Sequence, residues 1–543
     1  MSDAFVQPPT MLEAVIAAIK ANNMDLAKRL AGDALSSGLE HPLLLNLRAL
    51  AYEEAVNFEA ALADLRRAHF LAPRDYAILN ACGLCLARME RPEEAQQCYE
   101  QALAIQPDFG PGWFNLGHAW DRLGEKAKAA EAYARAAAIN PENVQAWSNL
   151  ANLAARRGDA AGARDFADRA LALYPGFPPA LLALAESELT EPAKAEARLR
   201  GLLAGTLGDY DHAVALSLLA DALHSLGRPA EAFGAYVEAN RRFRDEARPR
   251  FETPGQTTVA DSVAWLIDWA RALDGGRWRA GADRAVPRDD IRGHVFLMGF
   301  PRSGTTLMET VLANHPDVVS LEERSTLAAS IIEFMTDRDS LNRLGALPDV
   351  ALQSFRSDYW ARVKQDGVDV AGKVFIDKNP FNVVRLPLIY KLFPDARIIF
   401  AVRDPRDVVL SCFRRRFNVN PSTYELLDLG RAAAFYDGNM RLAEILRTKQ
   451  PMAEHRLVYE RLVSDFEAES KAACAFIGVD WRADLLDFSG RARRGDVASA
   501  SSAQIARGLY TDGAGQWRRY REQLAPMLPM LKPWVEHFGY PTD

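Results

Sequence analysis

Cysteine is scarce: five thiols in 543 residues are too few for a disulfide framework and point to a reducing compartment. No stretch approaches 18 uninterrupted apolar residues, so no membrane span is expected. The opening MSDAFVQPPT lacks the basic start and apolar core of a signal peptide, and a cytoplasmic location is the expectation. Charge of one sign is not in large excess either. A formal net charge of −7 gives no general pull toward nucleic acid or an anionic membrane, so any anion site must be built locally. Cys82 and Cys85 form a CxxC, but no second CxxC or His pair accompanies it. Small apolar packing residues within a helix are the expected role, with no metal. What remains, 49% hydrophobic and 25% charged residues, is the balance of a folded chain long enough for two or more domains.

The first half is periodic. Pro73, Pro107, Pro141 and Pro175 are 34 residues apart, as are Gly83 and Gly117, and Trp113 and Trp147. Small and aromatic residues recur in phase: Ala95, Tyr99, Ala102; Ala129, Tyr133, Ala136; Ala163, Ala167, Ala170; and, after a one-residue slip, Ala232, Tyr236, Ala239. Alanines at crossing points let paired helices approach closely, and a proline ends each unit. The pattern resembles the tetratricopeptide repeat (TPR), about seven units over residues 8–242, an all-α solenoid of helical hairpins. Such an array implies a groove for a peptide or protein partner; a spacer or dimerisation role would leave the same pattern, so a homodimer stays open. Residues 243–290 break the period and read as a connector with one short helix.

From residue 291 to 543 the pattern turns α/β. HVFLMGF reads as a buried parallel strand, and PRSGTTLMETVLANHP as a loop followed by a helix. A strand, a glycine-bearing loop and a helix N-terminus form an anion cradle. Gly299 and Gly304 have the spacing of a nucleotide P-loop, but Thr305 stands where an NTPase needs lysine, which counts against ATP or GTP hydrolysis. Arg302 can fork onto phosphate or sulfate oxygens, while Ser303, Gly304, Thr305 and Thr306 offer hydroxyls and amides. Further on, ARIIFAVR reads as a strand with Arg403 at its carboxyl end, followed by a helix bearing Ser411, with Arg415 one turn beyond.

PRSGTTL resembles the 5′-phosphosulfate loop of sulfotransferases that use 3′-phosphoadenosine 5′-phosphosulfate (PAPS), and AVRDPRDVVLS resembles their 3′-phosphate-binding strand and helix. The resemblance implies a P-loop-like three-layer fold with a parallel sheet, PAPS as cofactor, no metal, and a 3′-phosphate grip by Arg403 and Ser411. Within the family the likeness is to the tyrosylprotein branch, over about residues 294–525. LEERSTL resembles its acidic motif and implies Glu323 as catalytic base; DKNPF implies Lys378 as catalytic lysine. LVYERLVSDFE implies that Tyr459 packs at the nucleotide, and SSAQI with GQWRRY implies Ser501 as sulfonate-stabilising serine and Trp517 as a cofactor contact. Gln516 departs from the pattern, standing where that branch has a cofactor-contacting lysine; either Arg507 or Arg518 compensates, or the nucleotide is gripped differently at that edge.

Sulfuryl transfer needs positioning and charge stabilisation rather than a metal. Glu323 is the expected base toward an acceptor hydroxyl, and Lys378, Arg302 and Ser501 the expected stabilisers of developing negative charge. His315 reads as a helix-end residue. Tyrosine in a peptide or protein recruited by the repeats is the leading acceptor. A carbohydrate or small-molecule hydroxyl, and a non-catalytic scaffold with a nucleotide-binding domain, remain alternatives.

Overall fold

The prolines of the 34-residue period lie in turns that follow the second helix of each pair, and the tryptophans tie those turns down. Trp113 Nε1 donates to Pro107 O and Trp147 Nε1 to Pro141 O, both at 2.8 Å. In the computed structural model of the protein, residues 8–188, 191–255, 257–279, 290–487 and 513–542 are described, and the chain divides into two compact units, Met1–Thr190 and Glu191–Asp543.

The first unit is a succession of antiparallel helix pairs, from Pro8–Lys20 to Pro178–Ser187. Its in-phase residues are the buried crossing points: Ala95, Tyr99 and Ala102, then Ala129, Tyr133 and Ala136, are all at most 2% exposed. The glycines are the other half of those contacts. A side chain at Gly117 would put its Cβ 2.8 Å from the Tyr133 ring, and one at Gly83 would collide with Tyr99 in the same way. Cys82 and Cys85 are free thiols in the helix Tyr76–Arg88. Burial pushes them up to about 12 and about 11, so neither is a ready thiolate. No described helix is long and apolar enough to cross a membrane.

The second unit holds a five-stranded, wholly parallel sheet: β1 (Gly293–Gly299), β2 (Val318–Glu322), β3 (Val374–Lys378), β4 (Arg397–Val402) and β5 (Glu454–Val458). The strand order is β2-β3-β1-β4-β5. Both faces are covered, and the alternation along the strands shows it. Phe296, Met298, Phe375, Ile398 and Phe400 enter one apolar cluster, while Val295, Leu297, Val374, Ile376, Ile399 and Ala401 enter the other. From β1 the chain runs to β2 and β3 on one side and to β4 and β5 on the other, so the topological switch lies at β1.

The hairpin of α1 (Asp209–Ser225) and α2 (Pro229–Phe251) belongs to this same unit. It carries the repeat signature, with Ala232, Tyr236 and Ala239 buried, yet it packs on the α/β part of the unit through polar anchors. Asn240 Nδ2 donates to Phe413 O at 2.7 Å, Arg416 Nη1 to Asp221 Oδ2 and Ser217 Oγ at 3.0 Å each, and His224 Nδ1 lies 2.8 Å from Tyr520 OH. Burial, with help from Arg414, pushes the His224 imidazole down to about 4, so this contact is made by the neutral ring at neutral pH. Asn240 is 6% exposed, and removing its amide strands a buried carbonyl. Asn240→Ala is therefore expected to lower the stability of the second unit by about 1–3 kcal/mol. Urea unfolding should show a lower midpoint at an unchanged slope; an unchanged midpoint would mean that the hairpin is held by apolar packing alone.

Candidate active site

Each of the five strands delivers a residue at its carboxyl end. After β1 comes the loop 300–304, after β2 Glu323, at the end of β3 Lys378, after β4 Arg403 and after β5 Tyr459. The register brings the acidic and basic ends level, Glu322 pairing with Lys378 across β2 and β3. Parallel strands that end together make one edge, and at the switch point that edge opens as a crevice.

The half of the site beyond β2 and β3 is built on a buried ammonium. The Lys378 side chain has no exposed surface and meets three carboxylates: Glu323 Oε1 at 2.8 Å, Glu322 Oε1 at 2.9 Å and Glu309 Oε2 at 3.3 Å. Burial alone would pull the ammonium down; the three acids overcome it and hold Lys378 above the ordinary lysine range. The acids differ in depth, with the side chain of Glu309 8% exposed, Glu322 21% and Glu323 50%. Glu323 N–H donates to Lys378 O at 2.7 Å, and Glu323 takes a left-handed φ of 50° to do so. Just before Lys378, Asp377 is buried and accepts from Thr326 Oγ1 at 2.7 Å and Tyr359 OH at 2.9 Å, which fixes the strand end.

The half beyond β1 and β4 is cationic. Gly304 is the N-cap of α3 (Thr305–Leu312), whose first amides have no partner within the helix. Ser303, Thr305 and Thr306 are buried around that start. Arg302 donates from Nε to Ser411 Oγ at 3.1 Å, the serine lying on α4 (Pro405–Arg414). Arg403 donates from Nη1 to Arg302 O at 2.9 Å and from Nη2 to Gly513 O. Burial, then repulsion from Arg415 and Arg403, pushes the Arg302 guanidinium down to about 10. Arg403 Nε is buried with no hydrogen-bond partner among the described residues. Guanidiniums that converge on Arg302, with an orphaned donor beside a helix N-terminus, fit an anion. Arg302 and Glu323 are the two non-glycine residues with positive φ among the described residues of this unit. Such backbone costs about 1–3 kcal/mol each and clusters at functional sites.

Tyr459 lies under the Arg403 guanidinium, 4.5 Å from ring centroid to carbon, and against Gly304. Trp517 is 1% exposed, packed with Leu410, Tyr520 and Leu524 beneath the Arg406 guanidinium. Gln516 accepts from Arg414 Nη1 at 2.9 Å, while Arg518 stands over Trp517. Ser501 and Arg507 lie outside the described residues. His315 accepts at Nδ1 from Asp317 N–H and donates from Nε2 to Asp480 O, both at 3.0 Å, so both ring nitrogens are engaged. Two further residues were not singled out in the sequence. Asp407, which burial pushes up to about 6 against the pull of Arg403, accepts from Gly515 and Trp517 N–H at 2.6 and 2.8 Å, pinning the returning segment. Glu309 is the other; its signal was an acid set between Met308 and Val311 on a buried helix face.

With this geometry in view, comparisons with known proteins bear on its identity. Residues 294–483 match the sulfotransferase family model, and residues 83–144 and 122–178 match a tetratricopeptide repeat model. The chain carries a sulfotransferase domain and a TPR region. The chain is similar to an uncharacterized protein of Aquifex aeolicus, 27% identical over 264 residues that make up 46% of this chain and 34% of that one. It is also similar to protein-tyrosine sulfotransferase A of Caenorhabditis elegans, 22% identical over 45% of this chain and 67% of the other. Protein-tyrosine sulfotransferase 1 of Danio rerio is 24% identical over 44% of this chain and 71% of its own length. The chain thus spans about a third of the first relative and about two thirds of the other two.

Gly304 has little room for a side chain. Its φ is 97°, and an added Cβ would stand 2.9 Å from Tyr459 Cδ2, whereas Gly372, at φ 68°, has open space around it. Gly304→Ala is expected to destabilise the domain by about 1–3 kcal/mol beyond Gly372→Ala, which carries backbone strain alone. Equal losses in parallel denaturation curves would mean that Tyr459 does not brace the loop.

Proposed function

We propose that this protein is a PAPS-dependent sulfotransferase that transfers a sulfonate group to a hydroxyl, with tyrosine of a peptide or protein as the acceptor and the TPR region as the element that recruits it. The observation that carries the reading is the opposite polarity of the two halves of one strand edge: a half-exposed carboxylate on a buried lysine beside a cluster of arginines at a helix N-terminus.

The residues fit the cofactor. Arg403 and Ser411, with Arg415, are suited to a 3′-phosphate, and the orphaned Arg403 Nε supplies a donor for it. Arg302, Ser303, Gly304, Thr305 and Thr306 are suited to the 5′-phosphosulfate end, and Tyr459 offers a ring beside the loop. Bound there, PAPS would supply the sulfonate (SO3) group that passes to the acceptor oxygen, with the sulfur–oxygen bond to its 5′-phosphate broken and adenosine 3′,5′-bisphosphate as the leaving group. Glu323 takes the acceptor's hydroxyl proton on its carboxylate; at 50% exposure it is the one of the three acids open to an incoming group. Lys378 stays protonated because its acids hold it so, and with Arg302 it stabilises the negative charge that builds up during transfer. A protein-sized acceptor is favoured by the protein-tyrosine sulfotransferase relatives and by the TPR region, since solenoids of this kind present extended binding faces.

Single-turnover transfer of labelled sulfonate from PAPS to panels of tyrosine peptides, glycans and small phenols tests the reading. Label on tyrosine peptides is the expected result, and label on glycans alone would replace the acceptor class. Glu323→Ala is expected to lower kcat by about 10²–10⁴, the usual cost of removing a general base, with affinity for adenosine 3′,5′-bisphosphate unchanged. Glu322→Ala removes one anchor of Lys378 but leaves the base, and should cost much less. The reverse order would move the base to Glu322.

A further inference from the structure

The buried carboxyl of Glu309 has no part in the chemistry above, yet it sits against the residue on which that chemistry turns. It projects from the second turn of α3, which begins at the anion loop, and reaches the Lys378 ammonium at 3.3 Å as a buried acid, 8% exposed against 50% for Glu323. An ammonium has three N–H groups, and Lys378 meets three carboxylates, one each from α3, the end of β2 and the residue after it. Glu323 cannot both accept a proton freely and remain clasped by the lysine. When an acceptor hydroxyl enters, the outermost contact is the one that must loosen, and the ammonium then needs an anchor that does not move outward with it.

We propose that Glu309 is a positioning residue that grips Lys378 from within the domain, so that the lysine stays beside the anion loop while Glu323 is released to act as base. The inference rests on the functional reading above. The charged groups that bear on Glu309 are Lys378 from β3 and Glu322 from β2, with Ser320 of β2 as a neutral hydrogen-bond partner. Burial pushes the Glu309 carboxyl up to about 7, with Lys378 pulling it down and Glu322 pushing it up. The grip is therefore made as the carboxyl ionises through neutrality and is lost below it. The same shift acts on stability with the opposite sign. A carboxyl whose folded value is raised favours the folded state at low pH, and that contribution falls away between its unfolded value near 4.5 and about 7.

The test compares wild type, Glu309→Gln and Glu309→Asp in full-length protein, using single-turnover transfer between pH 5.5 and 8.5, calorimetric binding of adenosine 3′,5′-bisphosphate, and stability against pH. Wild-type kcat should rise through pH 7. Glu309→Gln should lack that rise and fall short by roughly tenfold to a hundredfold at pH 8, with far less difference at pH 6 and bisphosphate affinity within about twofold. The aspartate is one methylene shorter; it should keep the inflection and recover part of the rate, and it carries the comparison if the glutamine variant is unstable. A glutamine variant that follows the wild-type pH curve, or an aspartate variant with full activity throughout, would overturn the proposal. If wild type transfers sulfonate to no acceptor, the functional reading fails by itself and the stability arm decides. A wild-type-minus-Gln difference that declines from pH 4.5 to 7 supports a titrating carboxyl against Lys378, and a flat difference overturns it.

Discussion

A lysine with no exposed surface must be neutralised where it stands, because an uncompensated buried charge costs several kcal/mol. Lys378 meets that requirement with three carboxylates drawn from α3, the end of β2 and the residue after β2, and the carboxyl-end geometry of the sheet follows from the need to bring them together. The pairing of Glu322 with Lys378 across β2 and β3 puts two of the partners on neighbouring strand ends. The third comes from the helix that starts at the anion loop, so the loop and the lysine are tied through one element. Removing a partner from such a cluster costs about 3–5 kcal/mol where the remaining charge stays buried; here the outermost acid is half exposed, and water can take its place.

The other side of the crevice has the opposite problem. Arg302 and Arg403 face each other near Arg415, and burial deprives them of water. Hydrogen bonds to Ser411, to Arg302 O and to Gly513 O engage some of their donors, and the repulsion among the guanidiniums weakens the hold of Arg302 on its proton. Strain sits at the hinge of each half, in the left-handed backbones of Arg302 and Glu323. Both conformations are held by the fold around them, through the Arg403 bond to Arg302 O and the Glu323 amide bond to Lys378 O.

Much of this was legible in the sequence. The 34-residue spacing of Pro107 and Pro141 carries over into identical tryptophan-to-carbonyl bonds, and the glycine and tyrosine positions meet as close contacts. The TPR and sulfotransferase regions, and the parallel sheet, follow from patterns that local physics enforces. A repeat period, however, reports which residues pack within a helix pair and not what the pair packs against. Tyr236 fills the same place in its hairpin as Tyr133 does in its own, yet it also lies under Arg414, which donates from Nε to its hydroxyl at 3.3 Å. Such polar anchors have no period. Glu309 was hidden for a similar reason: an acid in an apolar helix face announces burial, but its partner lies 69 residues away in sequence. Asp407 sits in a motif whose Arg and Ser drew notice, while its own hydrogen bonds run to backbone amides beyond residue 512. Arg414, set against the rings of Tyr236 and Tyr520, is a residue that meets Gln516.

The most direct test of the account is a calorimetric titration of wild type and Arg403→Ala with adenosine 3′,5′-bisphosphate and with adenosine 5′-phosphate. If the arginine cluster is a 3′-phosphate site, wild type binds the bisphosphate at least about tenfold more tightly than the monophosphate, and Arg403→Ala removes most of that difference, in keeping with the loss of a charge-assisted contact of about 1.5–3 kcal/mol. Equal affinity of wild type for the two ligands, or an equal loss for both in the variant, would contradict it.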